Sequence, residues 1–443
     1  SFTNNYHLSK IEKSVTIMQT IVLKEEAMER HILCIDLKSF FASVECIERG
    51  LDPFTTPLVV ANKRQGNGAI TLAISPYLRQ KGIKGRTRLY EIPKNISYTI
   101  VPPRMKLYIE KSKEVVKIYS DFVSFEDLHI YSIDECFLDV TNYLHYYQKS
   151  DYELAEEILK TIEEKTGLTA TCGIGPNLLL AKLSMDIEAK RYKNGIAKWE
   201  MKDIPTKLWP ISPLSKVWGI GARLEKRLNN LGIFTVYDLA HQDPTFLKKK
   251  FGIMGKELWE HANGIDNSCI KDFETNPKEK SFSHSQVLFK NYYNEEIHLI
   301  IKEMLEVLTK RLREQKKETG LLGLGITYSK EIGNGFYHSE KLEQPTDKEE
   351  TLYSLCLTLF DKFYEENMPI RKVSISLGKL KEKQGTQLNL FETFETTKQQ
   401  EKLSLTLDEV HMRFGKNSVL KASSLLSNST IKDRNQKIGG HHE

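Results

Sequence analysis

No stretch of the 443 residues is apolar for long enough to cross a bilayer. ILCIDL (32–37) is strand-sized, and TIMQTIVL (16–23) runs at once into charge. The N-terminus lacks the basic, apolar, small-residue order of a secretion signal, so the expectation is a cytoplasmic protein with no membrane partner. Cysteine is sparse and scattered, six residues (Cys34, Cys46, Cys136, Cys172, Cys269 and Cys356) with no CxxC pair, which argues against zinc or a disulfide framework and for reduced core residues. No internal repeat stands out. Charge of one sign is not in large excess either, at +5 net, but it is unevenly spread. Residues 51–105 hold nine Lys/Arg against Asp52 and Glu91. Such a patch can meet phosphates, and on charge alone it reads equally well as a solvated face.

The chain is too long for one core, so about two to four domains are expected. Residues 1–30 read as an extension. From HILCIDL onward strands and helices mix: a helix from SFFASVECIERG with Ser39 as its N-cap and Gly50 as its stop, a strand PLVVAN, and a short helix SPYLRQKG with Pro76 in its first turn. DLHIYSI and CFLDVT are strands, DYELAEEILKTIEEKTG an amphipathic helix, LTATCGIG a strand and NLLLAKLSMDIEAK a helix. Residues 201–267 are helical with glycine breaks, 268–281 form a polar linker, and 282–381 carry the order βαββαβ of a ferredoxin-like unit. Residues 382–443 are polar, poor in pattern and expected to be flexible.

Inside YSIDECFLDV two acids, Asp134 and Glu135, stand side by side. Neighbours in a regular strand point to opposite faces, so these two could not serve one site there. The flanking runs are each strand-like, which places the pair where a hairpin could turn, and a turn lets adjacent carboxylates converge. Taken alone they read as exposed turn acids. CIDLKSFFASVE supplies a third, Asp36, at the end of an apolar strand just before a helix. Converging carboxylates repel unless neutralised, Mg²⁺ is the usual partner of an all-oxygen site, and a pair of such ions serves phosphoryl transfer. The helix start after Asp36 offers free amides to a triphosphate.

DLKSFFASVE followed about a hundred residues later by YSIDECFLD resembles the pattern of the Y-family, translesion DNA polymerases, with the bacterial UmuC/DinB-like branch the nearest match. The resemblance covers residues 31–381. It implies an α/β (α+β) multidomain fold shaped as a right hand: a split palm (31–50 and 106–200), small fingers (51–105), a helical thumb with a helix-hairpin-helix (201–267), and the ferredoxin-like unit 282–381 as little finger. It implies that Asp36 and Asp134 bridge two Mg²⁺ ions, that Glu135 helps hold the ion activating the primer 3′-hydroxyl, and that the Leu37 carbonyl completes the nucleotide-side ion. Phe41 lies at the steric-gate position that excludes a 2′-hydroxyl, and Phe40 beside it reads equally as core. Arg79 and Lys190 would bind the triphosphate. Two departures stand out: Lys38 where the family often has a second acid, and Pro76 where it often has a triphosphate tyrosine. Asp139, at the end of the motif, reads as scaffold.

VWGIGARLEKRLNNLGIFTVYDLA resembles the helix-hairpin-helix, in which Gly219 and Gly221 leave amides open to a DNA phosphate and Arg223 follows on the next helix. Residues 282–381 balance fifteen Lys/Arg with fifteen Asp/Glu, so DNA binding there rests on the resemblance and on clusters such as Lys310, Arg311, Arg313, Lys316 and Lys317, which read equally as a wet helix face. QLNLF, with Gln387, Leu388, Leu390 and Phe391, resembles the peptide that docks on the bacterial sliding clamp. The expected partners are therefore primer-template DNA, deoxynucleoside triphosphates and the clamp, with an accessory subunit of the SOS response also admitted. The expected activity is low-fidelity, two-Mg²⁺ translesion synthesis with pyrophosphate release, and no proofreading exonuclease is evident. Two rivals use the same residues: a catalytically idle DNA- and clamp-binding regulator, and a structure-specific nuclease.

Overall fold

The apolar run ILCIDL forms strand β1 (Ile32–Leu37) in the computed structural model, which describes residues 30–274, 280–383, 394–438 and 441–442. After β1 come α1 (Phe40–Ile47), β2 (Leu58–Val60), β3 (Ala73–Ile74), α2 (Pro76–Gln80), β4 (Thr99–Val101) and α3 (Met105–Phe122). They are followed by β5 (Leu128–Ile130), β6 (Glu135–Asp139), α4 (Asp151–Thr166), β7 (Ala170–Gly175), α5 (Leu178–Ile187) and β8 (Ile196–Lys198). β1 lies in the middle of a sheet of order β5-β6-β1-β7-β8, antiparallel to both neighbours, with only β7 and β8 parallel.

A strand covered on both faces needs apolar residues at odd and even positions alike, and β1 has them. Leu33, Ile35 and Leu37 enter a core with Tyr108 and Val115 of α3 and Leu154 and Ile158 of α4. Ile32 and Cys34 pack on the other side with Phe137, Leu178 and Ala181. α5 crosses that side closely: a Cβ on Gly173 would overlap the carbonyl oxygen of Ala181, so the glycines of TCGIG set the approach of this helix.

Residues 51–105 add a small three-stranded sheet, whose Leu58, Val60, Ala73 and Val101 join the core beneath β1. β2 pairs with β3 and β4 over a core of Val59, Ile74, Leu78, Leu89 and Ile92. Beyond β8 the chain folds into α6 (Ala222–Asn229), α7 (Val236–Ala240), α8 (Pro244–Phe251) and α9 (Ile253–Ala262) around Leu208, Leu228, Leu239, Leu247 and Leu258.

Residues 280–438 form a second compact unit. Its elements run β9 (Phe282–Tyr292), α10 (Glu296–Glu314), β10 (Lys317–Tyr328), β11 (Gly335–Thr346), α11 (Glu349–Phe363) and β12 (Ile370–Gly378), the expected βαββαβ order. The sheet has the order β11-β10-β12-β9 and is antiparallel throughout, and a short β13 (Lys381–Glu382) pairs with the start of β10.

The expectation of a patternless, flexible tail fails over residues 394–438. There the chain forms α12 (Phe394–Phe414) and α13 (Ile431–Asn435), joined to the rest of the unit by polar contacts. Arg313 forks onto Asp408 at 2.8 and 3.1 Å, Lys421 reaches Glu349 at 2.7 Å, and Thr430 donates its amide to the buried Glu303 at 3.1 Å. Hydropathy does not register such pairs, which is why the sequence looked empty there. The cation cluster at the end of α10 and the start of β10 is partly occupied, in one case by this segment. Arg313 is held by Asp408, Lys317 pairs with Glu382 at 3.3 Å, and Arg311 lies over the Phe282 ring. Among the described residues no helix is long and apolar enough to cross a membrane.

Candidate active site

β5 and β6 form the hairpin expected from the two strand-like runs, and Asp134 stands in its turn, immediately before β6. Antiparallel register puts Asp36, near the end of β1, directly opposite Glu135, the first residue of β6. Residues opposite each other on paired strands share a face, so Asp36 and Glu135 point to the α5 side. The turn is tied to β1 by the Leu37 amide, which donates to the Asp134 carbonyl at 2.9 Å. The Ser132 hydroxyl donates to Asp134 Oδ1 at 2.6 Å. Three acids from two distant parts of the sequence thus stand at one end of the sheet.

α5 brings a charge ladder to them. Lys182 Nζ pairs with Glu135 Oε1 at 2.7 Å and with Asp186 Oδ2 at 3.1 Å. Lys190 Nζ pairs with Asp186 Oδ1 at 2.8 Å and reaches Asp36 Oδ2 at 3.5 Å. The Cys34 thiol also donates to Glu135 Oε1, at 3.3 Å. Lys182 and Asp186 were not singled out from the sequence. Their signal was the four-residue spacing of Lys182 and Asp186, which puts opposite charges on one face of α5, with Lys190 in the short turn just after it.

Burial, first of all, pushes the Asp36 carboxyl up to about 6; Lys190 opposes this, while Asp134 and Glu135 add to it. Burial works against the Lys190 ammonium too, but Asp36 and Asp186 outweigh it and hold its pKa above the ordinary lysine value. These acids therefore repel one another and depend on nearby cations. The donor set is all hard oxygen, which suits Mg²⁺ better than a softer ion. Glu135 is turned onto Lys182, however, and among the described residues no three His, Cys, Asp or Glu side chains are gathered closely enough to hold an ion.

The start of α1 follows Asp36 by a few residues. Ser39 adopts a left-handed conformation (φ 49°) and its hydroxyl does not cap the helix; it accepts from Arg79 Nε of α2 at 3.0 Å. The N-cap expected at Ser39 is replaced by this link, which ties Arg79 to the helix start. The first helical bond runs from the Ser43 amide to the Ser39 carbonyl, so the amides of Phe40 and Phe41 precede the ladder. Phe40 is buried in the core. Phe41 is half-buried, with its ring centroid 4.6 Å from that of Tyr108. Lys38, the departure next to these residues, has its pKa lowered, chiefly by burial. Pro76 sits at the first turn of α2, with Ser75 as the N-cap. Asp139 lies at the far end of β6, where it accepts from the Thr141 amide at 3.1 Å and pairs with Arg30.

Gly219 and Gly221 precede α6. Gly219 has φ 89°, a conformation that favours glycine, and a Cβ at either position would meet nothing within 4 Å. Arg223 is exposed on the first turn of α6. Gln387, Leu388, Leu390 and Phe391 lie outside the described residues, as do residues 1–29.

Three family models match the chain: the impB/mucB/samB family over residues 35–186, its C-terminal domain over 279–390, and the IMS family HHH motif over 202–233. The UV-damage repair protein named UvrX of Bacillus subtilis (strain 168) is 40% identical over 415 residues, 93% of this chain and 97% of that one. DNA polymerase IV 2 of the same organism is 32% identical over 94% of this chain and 99% of its own length. Among solved structures, a Y-family DNA polymerase chimera of Dbh and Dpo4 superposes with a TM-score of 0.63 at 21% identity, covering 80% of this chain and 99% of that one.

Proposed function

This chain belongs to the impB/mucB/samB family and is a Y-family, DNA-directed DNA polymerase, and from that we propose that it carries out translesion synthesis with the acids gathered at the end of β1 and β6. The observation that carries the reading is the direct pairing of Asp36 with Glu135 across the strands, with Asp134 in the adjoining turn. Asp36, Asp134, Glu135 and the Leu37 carbonyl would hold two Mg²⁺ ions, which when bound supply charge stabilisation to the attacking and leaving oxygens.

The chain's own residues do the rest. Arg79 and Lys190 bind the triphosphate and oppose the charge that gathers on it as pyrophosphate leaves. Arg79 is aimed by Ser39, and Lys190 by Asp186. The amides at the start of α1 meet phosphate oxygens, and the Phe41 ring presses on the sugar where a 2′-hydroxyl would stand. The amides around Gly219 and Gly221 grip a DNA phosphate without reading sequence, helped by Arg223. Residues 51–105 add only a small sheet, which favours a loosely enclosed nascent pair and tolerance of damaged templates. Gln387, Leu388, Leu390 and Phe391 dock on the sliding clamp.

Extension of a labelled primer with Mg²⁺ and deoxynucleotides tests the reading. The wild-type chain lengthens the primer and Asp134→Ala does not. Equal extension by both, or none by the wild type, contradicts it, and shortening of the strand marks a nuclease. For the clamp, a chain with Leu390→Ala and Phe391→Ala is expected to lose retention on immobilised bacterial clamp, measured by surface plasmon resonance. Undiminished retention removes the motif from the account.

A further inference from the structure

Phe41 can discriminate between sugars only if its ring cannot retreat, and the structure shows what stands behind it. The ring lies against Tyr108, centroids 4.6 Å apart and planes inclined by 31°. Tyr108 belongs to the first turn of α3 and is fully buried. Its hydroxyl donates to Glu45 Oε1 at 2.6 Å. Glu45 is fully buried as well, and lies four residues after Phe41, on the same side of α1. The Glu45 carboxylate is in turn gripped by Arg104, whose Nε and terminal nitrogen reach its two oxygens at 3.0 and 2.7 Å, and by Arg49 one helical turn further on.

Arg104 is the residue that opens α3, and Tyr108 follows it by one turn. The ring behind Phe41 is therefore hydrogen-bonded to the helix that carries Phe41, and both helices are clamped by one buried, charge-assisted network. A close-packed ring held in this way cannot be pushed aside without breaking the Tyr108–Glu45 bond or displacing α3.

We infer that Tyr108, held by Glu45 and Arg104, is a positioning residue that stiffens Phe41 and so sets the preference for deoxynucleotides over ribonucleotides. The inference rests on the reading of Phe41 as the sugar gate. Tyr108 touches the gate and not the nucleotide, so its removal should alter selectivity rather than the chemical step.

The test is the ratio of ribonucleotide to deoxynucleotide insertion efficiency on a primer-template with the full chain, which is internal to each preparation and insensitive to a misfolded fraction. Tyr108→Leu, which removes the flat ring, is expected to raise this ratio by about tenfold or more. Tyr108→Phe keeps the ring but removes the hydrogen bond that ties it to Glu45, so it is expected to raise the ratio, by less than Tyr108→Leu does. Phe41→Ala reports on the gate itself. A raised ratio in Phe41→Ala with an unchanged ratio in Tyr108→Leu overturns the inference and leaves the gate standing. An unchanged ratio in Phe41→Ala overturns the gate, and the inference with it. If Tyr108→Leu does not yield folded protein, Tyr108→Met, which fills the volume without a flat face, is read against the same outcomes.

Discussion

Asp151 opens α4 with its carboxylate between His31 Nδ1 at 2.7 Å and the Lys198 ammonium at 2.8 Å, and so ties the residue before β1 to the end of β8. Burial pushes this acid up, but hydrogen bonds from Lys198 and His31 outweigh it and hold the carboxyl below its ordinary value of 3.8. An acid that ionises more readily folded than unfolded gives its full stabilisation above the ordinary carboxylate range and loses it as pH falls through the depressed value. Asp151→Asn should therefore cost roughly 1–3 kcal/mol near neutral pH, given that the carboxylate is buried and its partners are partly exposed. In urea titrations across pH the gap to wild type should narrow below about 3.8. A gap that persists unchanged into strong acid would show that the pair contributes nothing.

β1 and the β5–β6 hairpin were legible in the sequence because strand alternation and apolar runs are local signals. The pairing of Asp36 with Glu135 followed only once the register was known, since nothing local links residues 36 and 135. The inward position of Lys182 was not legible, because a lysine on an amphipathic helix reads as solvated until its partner, Glu135, is seen. α12 escaped notice because ion pairs such as Arg313–Asp408, not apolar periodicity, join it to the unit. The close approach of α5 to β7 makes the sharpest prediction here. Gly173→Ala would drive a methyl group into the Ala181 carbonyl and cost about 3 kcal/mol. Thermal unfolding should show the loss, and insertion should weaken with it, because α5 carries Lys182 and Asp186 to the acids. An unshifted melting temperature would mean that the helix can move away freely.

At the scale of the whole molecule, two compact units are joined through residues whose composition is polar, and the family models fall on both. We propose that Asp36, Asp134 and Glu135 act as a single catalytic set, although they stand on two strands and a turn. Residues that work as a set give non-additive losses, whereas independent contributors multiply. The measurement that bears most directly on this is single-turnover nucleotide insertion by Asp36→Asn, Asp134→Ala and the double variant, with melting curves to show that each is folded. Each single change is expected to lower the rate by at least about a thousandfold, and the double variant to be scarcely slower than either. Full activity in either single variant, or losses that simply multiply in the double, would contradict the proposal.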